Sequence, residues 1–373
     1  MVLDRGRTSA YAGALARHIR PDSVVLDIGC GPGILTLLAC QFGASKVYAV
    51  ESGDVIACAR DAALKNGFPD RVVFFQALST EVTLPEKTDI LVSDIRGVLP
   101  FFGHSISSLI DARNRLLIPG GLMIPRRDSV WVALVDAPDR YHELVDPFLD
   151  NEYKLEFPDA AAKVTNAWEK ACFKPDQLVT PPACWCTLDY ATIETPHARG
   201  TARWAIEHPC TAHGLGMWFD CEMTEGHGFS NSPLSTEKHI YGQAFFPFPQ
   251  PLEVAAGDWV KVDLRADLAG ENYVWGWHTA VGAGSATEPH QMLRQSTLRG
   301  TLFSRDSLRK RAHSFVPVLN EQGEVDRMIL EEIGSGKSLD QIAREVTERF
   351  PDRFGSLNES LTHVGEISYR YSV

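Results

Sequence analysis

The sequence lacks the features that mark membrane, metal-binding and nucleic-acid-binding proteins. It has no apolar run long enough to span a bilayer, and its first residues lack the apolar core of a signal peptide. Its eight cysteines do not match the spacings of zinc sites. Acidic residues outnumber basic ones by 48 to 36, whereas phosphate binding depends on clustered lysine and arginine. We therefore expect a cytoplasmic protein with no metal, no nucleic-acid partner and no membrane partner.

The order of the apolar runs indicates the architecture of the first part of the chain. From Val24 to about Val135, strand-like apolar runs alternate with segments of helix length. This alternation predicts a mostly parallel sheet with helices on both faces, and ligands bind such sheets beyond the carboxyl ends of the strands. We therefore predict a Rossmann-like α/β domain over residues 1–135.

Past Val135 the pattern changes twice. A charged, helical segment over residues 141–174 is followed by short runs in which apolar and polar residues alternate, as in the strands of a barrel. Near the end of the chain the spacing of apolar residues becomes helical, and the hydroxyl of Ser338 can cap a second helix. We predict a β-barrel domain over residues 136–305 and a small helical module over residues 313–373.

The most informative segment is VVLDIGCGPGILTLLACQFGASKVYAVES, which is typical of a strand, a glycine turn, a helix and a second strand. Asp27 closes the first strand, and Glu51 ends the second. Between the strands, the turn contains Gly29, Gly31 and Gly33. Glycines let the backbone approach a ligand closely, and an acid that ends the second strand can hold both hydroxyls of a ribose. The segment therefore predicts a site for a nucleoside cofactor.

The spacing of these glycines distinguishes two kinds of cofactor site. The dinucleotide-binding fingerprint places its last glycine one residue further along. The GxGxG spacing here, with an acid two residues before the first glycine, resembles motif I of the class I S-adenosylmethionine methyltransferases. That resemblance implies S-adenosyl-L-methionine as the cofactor, with Asp27 facing its methionine end and Leu78 and Ser79 at its adenine end.

A wider resemblance, over nearly all of residues 1–300, is to the protein arginine methyltransferases. The opening VLDRGRTSAY resembles the segment of that family that covers the cofactor. In it, Arg7 corresponds to the arginine that pairs with the cofactor carboxylate, and Tyr11 to a nearby tyrosine. The runs GLGMWFDCEM and PLSTEKHIYGQAFFPFPQPLEVAAGDWV resemble the family's β-barrel. The resemblance implies a homodimer, with residues 141–174 as a docking arm.

The substrate loop departs from the family's pattern. In the family it begins Ser-Glu and supplies a second Glu, so that two carboxylates clamp a guanidinium. Here it is SDIRGVLPFFGHS, with Asp94 at the first Glu, Gly103 or His104 at the second, and Arg96 within the loop. The family's Thr-His-Trp signature is also altered, with His239 displaced by one position. Because a cation beside the pocket opposes binding of a guanidinium, we expect an acceptor other than ordinary arginine-rich proteins.

Three functions are compatible with this loop. In the first, a peptide or small-molecule acceptor is methylated, Asp94 or His104 takes the proton, and Arg96 holds a substrate carboxylate. In the second, the guanidinium of arginine is methylated with the help of an acid recruited from the barrel, such as Glu222 or Glu237. In the third, the protein binds the cofactor without catalysis and recognises a peptide.

A second resemblance covers residues 313–373. The run GSGKSLDQIA and the helices on either side of it are similar to PqqD-like modules, which have a winged-helix-like fold. Such modules capture leader peptides for modifying enzymes along a sheet edge and a helix groove. The resemblance implies leader-peptide binding, and the alternative is a plain helical tail that only packs.

Overall fold

The computed structural model describes residues 4–301, 305–310 and 312–372. Contacts divide the chain into two compact units, Met1–Leu302 and Phe303–Val373. The larger unit contains a parallel sheet followed by two antiparallel sheets, and the smaller unit is helical. Within the described ranges, no helix combines the length and the apolar character needed to cross a membrane.

The first part of the larger unit is the predicted α/β fold. Five parallel strands lie in the order β3-β2-β1-β4-β5, so the chain reverses direction across the sheet between β1 and β4. In order along the chain, the elements are α1 (Arg5–His18), β1 (Val24–Ile28), α2 (Ile34–Gln41), β2 (Lys46–Val50), α3 (Ile56–Lys65), β3 (Val72–Phe75), β4 (Thr88–Ser93), α4 (Ser105–Arg115) and β5 (Leu117–Ile124).

The central strands form here because their apolar runs are buried on both faces. Four of the five residues of β1, and likewise of β2, are buried, as is typical of parallel strands covered by helices. The reversal between β1 and β4 opens a crevice at their carboxyl ends, which is where ligands bind in sheets of this kind. Asp27, Glu51 and Asp94 all lie at this edge, because each stands at or just past the end of its strand.

The second part of the larger unit is the predicted all-β domain. It consists of a six-stranded sheet, β7-β12-β10-β6-β8 with β11 paired to β10, and a four-stranded sheet, β15-β14-β13-β9. The strands are β6 (Arg127–Val135), β7 (Glu169–Ala171), β8 (Ala183–Asp189), β9 (Ala198–Ala205), β10 (Cys210–Thr224), β11 (His227–Ser230), β12 (Gln243–Val254), β13 (Asp258–Ala269), β14 (Asn272–Ala283) and β15 (Gln291–Ser296).

Two details of the domain prediction differ from the structure. The boundary was expected after residue 135, but β6 pairs with β10 and β8, so the antiparallel part begins at Arg127. The helical segment expected over residues 141–174 is broken into short helices, α5 (Pro138–Leu144), α6 (Asp146–Leu149) and α7 (Pro158–Thr165). Pro138, Pro147 and Pro158 each stand in the first turn of one of these helices, where proline is tolerated.

The smaller unit packs three helices around its own apolar core. Its elements are α8 (Arg305–Lys310), α9 (Glu321–Ile333), α10 (Leu339–Arg349) and α11 (Leu357–Tyr371). Ser338 caps α10 as expected, because its hydroxyl accepts a hydrogen bond from the Gln341 amide while the Gln341 side chain returns to the Ser338 amide. No strand occurs in residues 305–310 or 312–372, so the described part of this unit has helices without a wing.

Candidate functional site

The glycine turn after β1 combines tight packing with an open surface. Gly29, Gly31 and Gly33 have φ angles of 71°, 53° and 90°, a region that strongly favours glycine. A Cβ atom at Gly29 would lie 2.2 Å from the side chain of Ile95, and one at Gly33 would lie 2.9 Å from Ala59. At Gly31 nothing lies within 4 Å, so the backbone there is open to a ligand.

Glu51 places its carboxylate over this turn. One oxygen accepts a hydrogen bond from the Gly31 amide at 3.1 Å, and the other accepts one from the Gly53 amide at 2.8 Å. The side chain is therefore aimed back across the carboxyl ends of β1 and β2. A carboxylate held in this way can accept hydrogen bonds from two neighbouring hydroxyl groups.

Asp27 is fully buried, and only one of its two carboxylate oxygens accepts a hydrogen bond. The Thr36 hydroxyl donates to one carboxylate oxygen at 2.6 Å, whereas the other oxygen has no hydrogen-bond partner among the described residues. Burial, and to a smaller extent the charges of Asp94 and Glu51, raise the pKa of Asp27 to about 7. An unpaired buried carboxylate oxygen at this edge is suited to a ligand that donates hydrogen bonds or carries positive charge.

Leu78 and Ser79 lie beyond the end of β3 and differ in exposure. The Leu78 side chain is exposed, whereas Ser79 is buried and its carbonyl accepts a hydrogen bond from Arg115 at 2.8 Å. Arg115 lies in α4, so this bond fixes the loop after β3 against that helix. An exposed leucine in a fixed loop can cover one face of a flat ring.

Arg7 and Tyr11, on consecutive turns of α1, reach the same region from one side. The buried Arg7 guanidinium donates to Asp94, and Tyr11 donates to the Ser93 carbonyl at 2.8 Å. Burial alone would lower the pKa of Arg7, but the Asp94 carboxylate keeps it raised. In this structure the arginine expected to face a cofactor carboxylate is thus paired with a carboxylate of the chain itself.

Asp94 and Arg96 are brought together at the start of the predicted substrate loop. The Tyr241 hydroxyl lies 2.8 and 3.0 Å from the two oxygens of Asp94, and Arg96 Nε lies 3.4 Å from one of them. Both side chains are buried. Asp94 is consequently enclosed by two guanidinium groups and a phenol.

Arg96 also pairs with Asp128, which the sequence analysis missed. Its Nη1 lies 2.8 Å from Asp128 Oδ1, and Tyr190 donates to the other Asp128 oxygen at 2.6 Å. The guanidinium carbon is 5.3 Å from the centre of the Phe219 ring, a cation–π distance. Asp128 stands alone between polar residues near the start of β6, so neither spacing nor composition distinguishes it in the sequence.

His104 lies apart from this cluster. It precedes the first residue of α4, its side chain is 48% exposed, and its Nε2 is 3.2 Å from Glu271, which is itself exposed. No hydrogen bond or ion pair within the described residues joins it to Asp94 or Arg96. The structure therefore unites two of the three predicted acceptor-side residues.

The two acids considered as replacements are engaged elsewhere. Glu222, in β10, pairs with Arg126 at 3.4 Å and with Arg127 at 2.5 Å. Glu237 is 65% exposed and lies 3.9 Å from His239. The acid that in fact reaches the buried cluster is Asp128.

His239 has a structural partner at the start of α1. Its Nδ1 lies 3.1 Å from Asp4 Oδ1, and the Ile240 amide donates to the other Asp4 oxygen at 3.0 Å. Asp4 is the N-cap of α1, because it also accepts a hydrogen bond from the Arg7 amide. The altered histidine segment thus holds the helix that carries Arg7 and Tyr11.

Family models match both halves of the larger unit. The model described as "Ribosomal protein L11 methyltransferase (PrmA)" matches residues 7–132. The model described as "Arginine methyltransferase oligomerization subdomain" matches residues 127–272. The junction of the two models coincides with the start of β6.

Curated relatives extend the same similarity. The chain is 32% identical over 245 residues to the probable protein arginine N-methyltransferase 6 of Arabidopsis thaliana, covering 62% of this chain and 55% of that one. It is 32% identical over 275 residues to protein arginine N-methyltransferase 2 of Mus musculus, covering 69% of this chain and 61% of that one. The chain therefore spans little more than half the length of these relatives.

Solved structures agree with the fold. The Trypanosoma brucei PRMT1 enzyme-prozyme heterotetrameric complex with AdoHcy superposes with a TM-score of 0.71 at 24% identity, covering 79% of this chain and 95% of that one. Arabidopsis thaliana protein arginine methyltransferase 10 gives a TM-score of 0.69 at 24% identity, with the same coverage. The expected class I methyltransferase fold followed by an antiparallel domain is confirmed.

The raised pKa of Asp27 predicts a pH dependence of stability. Its pKa of about 7 in the folded protein exceeds the ordinary 3.8, so folding takes up a proton between these values, and the stability falls as pH rises from about 4 to about 7. Asp27→Asn cannot ionise at this position, so its stability does not fall with pH in this way. Relative to the parent, its free energy of unfolding should rise by about 2 kcal/mol between pH 5 and pH 8.

Urea denaturation of both proteins without ligand measures this difference. Asp70→Asn, an exposed acid of the same α/β part, is the control and should show no such change. An equal offset between Asp27→Asn and the parent at both pH values would contradict the prediction.

Proposed function

We propose that this chain is a member of the protein arginine methyltransferase family, to which its matches point, and a methyltransferase that uses S-adenosyl-L-methionine. The observation that carries the proposal is the pair of acids at the carboxyl ends of β1 and β2, beside the crevice. Glu51 presents both carboxylate oxygens over an open glycine turn, and Asp27 has an unpaired buried oxygen beside it. These groups fit the ribose and the cationic methionine end of such a cofactor.

The residues around the crevice have separate roles in this proposal. Glu51 accepts hydrogen bonds from the ribose hydroxyls, and Asp27 faces the ammonium end. Arg7 exchanges Asp94 for the cofactor carboxylate, to which a guanidinium can donate two parallel hydrogen bonds. The remaining proposed contacts are made by Tyr11, Gly29, Gly31, Leu78 and Ser79. When bound, the cofactor supplies a methyl group on a positively charged sulfur, and this chain supplies orientation and a dry, charged site.

The acceptor that we propose is a peptide or small molecule other than an ordinary arginine-rich protein. Its support is that the chain's own Arg96 already lies between Asp94 and Asp128 and over Phe219. The guanidinium of an acceptor arginine would have to displace the buried guanidinium of Arg96, which is paired with both Asp94 and Asp128. In the proposed reaction Arg96 exchanges one of these two acids for an acceptor carboxylate, and Asp94 or His104 accepts the proton.

Methylation of a guanidinium is the second candidate, and the charges of the cluster favour it. In the structure, Arg7 and Arg96 balance Asp94 and Asp128. If Arg7 turned to a cofactor carboxylate, the two acids would share one cation, and the site would carry one negative charge for a cationic acceptor. Asp128, rather than Glu222 or Glu237, would then be the relocated acid. A non-catalytic peptide-recognition protein is the remaining alternative.

We also propose a homodimer that forms through residues 141–174. Four apolar side chains of this segment are between 46 and 73% exposed: Leu149, Tyr153, Leu155 and Phe157. Such clustering marks a protein interface rather than a solvated loop. Sedimentation velocity should find a dimer for the parent and a monomer for Leu155→Ser with Phe157→Ser, and a monomeric parent would overturn this proposal.

The helical module is proposed to bind a leader peptide through its helices. Beyond the resemblance to PqqD-like modules, support comes from Val316 and Val318, which precede α9 and are 80 and 88% exposed. Since residues 305–310 and 312–372 contain no strand, the peptide would use a helix groove rather than a sheet edge. Val316→Asp with Val318→Asp should raise KM for a peptide acceptor and leave kcat unchanged, and an unchanged KM would exclude the role.

Cofactor binding is tested by Glu51→Ala. Loss of two hydrogen bonds to ribose should weaken binding of S-adenosylhomocysteine by one to a few kcal/mol, or about tenfold or more. Isothermal titration calorimetry measures the affinity, with Asp70→Ala as the control for loss of an exposed acid. Unchanged affinity in Glu51→Ala would remove this residue from the site.

The acceptor is tested with cofactor carrying a labelled methyl group. We expect little transfer to arginine-rich peptides and clear labelling of another peptide or metabolite in a cell extract, with mass spectrometry identifying the modified atom. At a cofactor concentration that does not saturate the parent, Glu51→Ala should reduce the labelling in step with its weaker cofactor binding. Robust transfer to arginine-rich peptides would refute the proposed acceptor, and cofactor binding without any labelling would favour the non-catalytic alternative.

A further inference from the structure

The outward face of the four-stranded sheet carries an unusual concentration of positive charge. Its other face is apolar and contains the buried Trp275 and Trp277. Since side chains alternate across a strand, the residues between them point outward, and most are exposed. Five of these outward residues form what we call the basic face: Arg199, Arg203, Lys261, Arg265 and Arg294.

Acidic residues do little to balance the basic face, although the whole chain has a net charge of −12. Asp263 lies in the middle of the face and accepts hydrogen bonds from Thr201 at 2.6 Å and from Lys261 at 2.9 Å. Asp267, towards the end of the same strand, lies 3.6 Å from His197. In the described residues, Arg199, Arg265 and Arg294 form no ion pair.

Two cross-strand pairs of the basic face place like charges directly opposite each other. Arg199 is the register partner of Arg265, and Arg203 is the register partner of Lys261. Like charges at opposite positions destabilise a sheet, whereas an acid at either position would form a stabilising pair. The electrostatic effect extends to His278, whose pKa is lowered by burial and then by the neighbouring Arg265 and Arg294. If this face only had to be exposed to solvent, pairing like charges across its strands would have no advantage.

The basic face also has a depression that can accept a ligand. A cavity of about 390 Å³ is bordered by Arg199, Arg265 and His278. Its floor includes Gly276, where a Cβ atom would lie 2.5 Å from Arg265 Nε. The glycine therefore lets the Arg265 side chain lie flat across the sheet, with its guanidinium beside the depression.

We propose that the basic face is a docking surface for an acidic polypeptide segment with clustered aspartate or glutamate. Guanidinium groups bind carboxylates through paired hydrogen bonds. The two like-charge pairs stand four residues apart along the strands, or about 13 Å. One small anion cannot span that distance, whereas an extended peptide with several carboxylates can.

Other polyanions fit the basic face less well. Single-stranded nucleic acids bind through exposed aromatic rings that stack on bases, and the nearest large ring, Trp259, is buried and has the Arg203 guanidinium 5.0 Å from its centre. A long duplex would also meet the negative charge of the rest of the chain. This inference does not depend on methyl transfer, because the face could bind an acceptor protein or any other acidic partner.

The experiment compares Arg199→Glu with the parent, using fluorescence anisotropy of a labelled oligoglutamate peptide. The parent should bind the peptide, with affinity that falls as salt rises. Arg199→Glu should weaken binding about tenfold, and by creating an ion pair opposite Arg265 it should also raise the melting temperature. Arg60→Glu, an exposed arginine in the α/β part, makes the same change in net charge and should leave binding unaltered.

Three outcomes would overturn the proposal. The first is no binding of oligoglutamate to the parent. The second is equal weakening by Arg199→Glu and Arg60→Glu, which would assign the effect to net charge. The third is tighter binding of a single-stranded oligonucleotide than of oligoglutamate with the same dependence on Arg199, which would assign the face to nucleic acid.

Discussion

The larger unit depends on one buried chain of charges that runs from Arg7 through Asp94 and Arg96 to Asp128. Its members come from α1, from the loop after β4 and from β6, so it joins the parallel sheet to the antiparallel one. Charged groups are tolerated in such an interior only when each has a partner of opposite sign and good geometry. Removal of Arg96 would leave Asp128 buried with no ionic partner among the described residues.

Tyrosine hydroxyls complete this chain of charges. Tyr241 donates to Asp94 and Tyr190 donates to Asp128, and both rings are buried. Burial raises the pKa of each phenol, so both remain protonated donors at any physiological pH. Because these tyrosines come from the antiparallel domain, the proposed acceptor side of the crevice is built jointly by both halves of the larger unit.

The parts of the structure that sequence could predict are those governed by periodicity and local turns. Buried parallel strands are continuous apolar runs, and glycines mark the turn after the first strand, so the parallel sheet and this turn could be predicted from the sequence. The pairing of β6 with antiparallel strands ahead of residue 135 could not be predicted, because β6 is also a largely buried apolar run, and such a run does not indicate its pairing partners. The partner of Arg96 could not be predicted, since Asp128 is 32 positions away and is reached only through the fold. Arg96 and His104 share a loop, and only the conformation of that loop decides that Arg96 is buried and His104 is exposed.

The contact between Gly29 and Ile95 has a mechanical consequence. Ile95 stands between Asp94 and Arg96, and its side chain rests on the turn where a larger residue than glycine would collide with it. The floor of the proposed cofactor crevice is thus also the support of the predicted substrate loop, and a shift in one is transmitted to the other by direct steric contact. Any redesign that grafts a different loop at this position would have to preserve that single point of support, or the graft would disturb the neighbouring glycine turn.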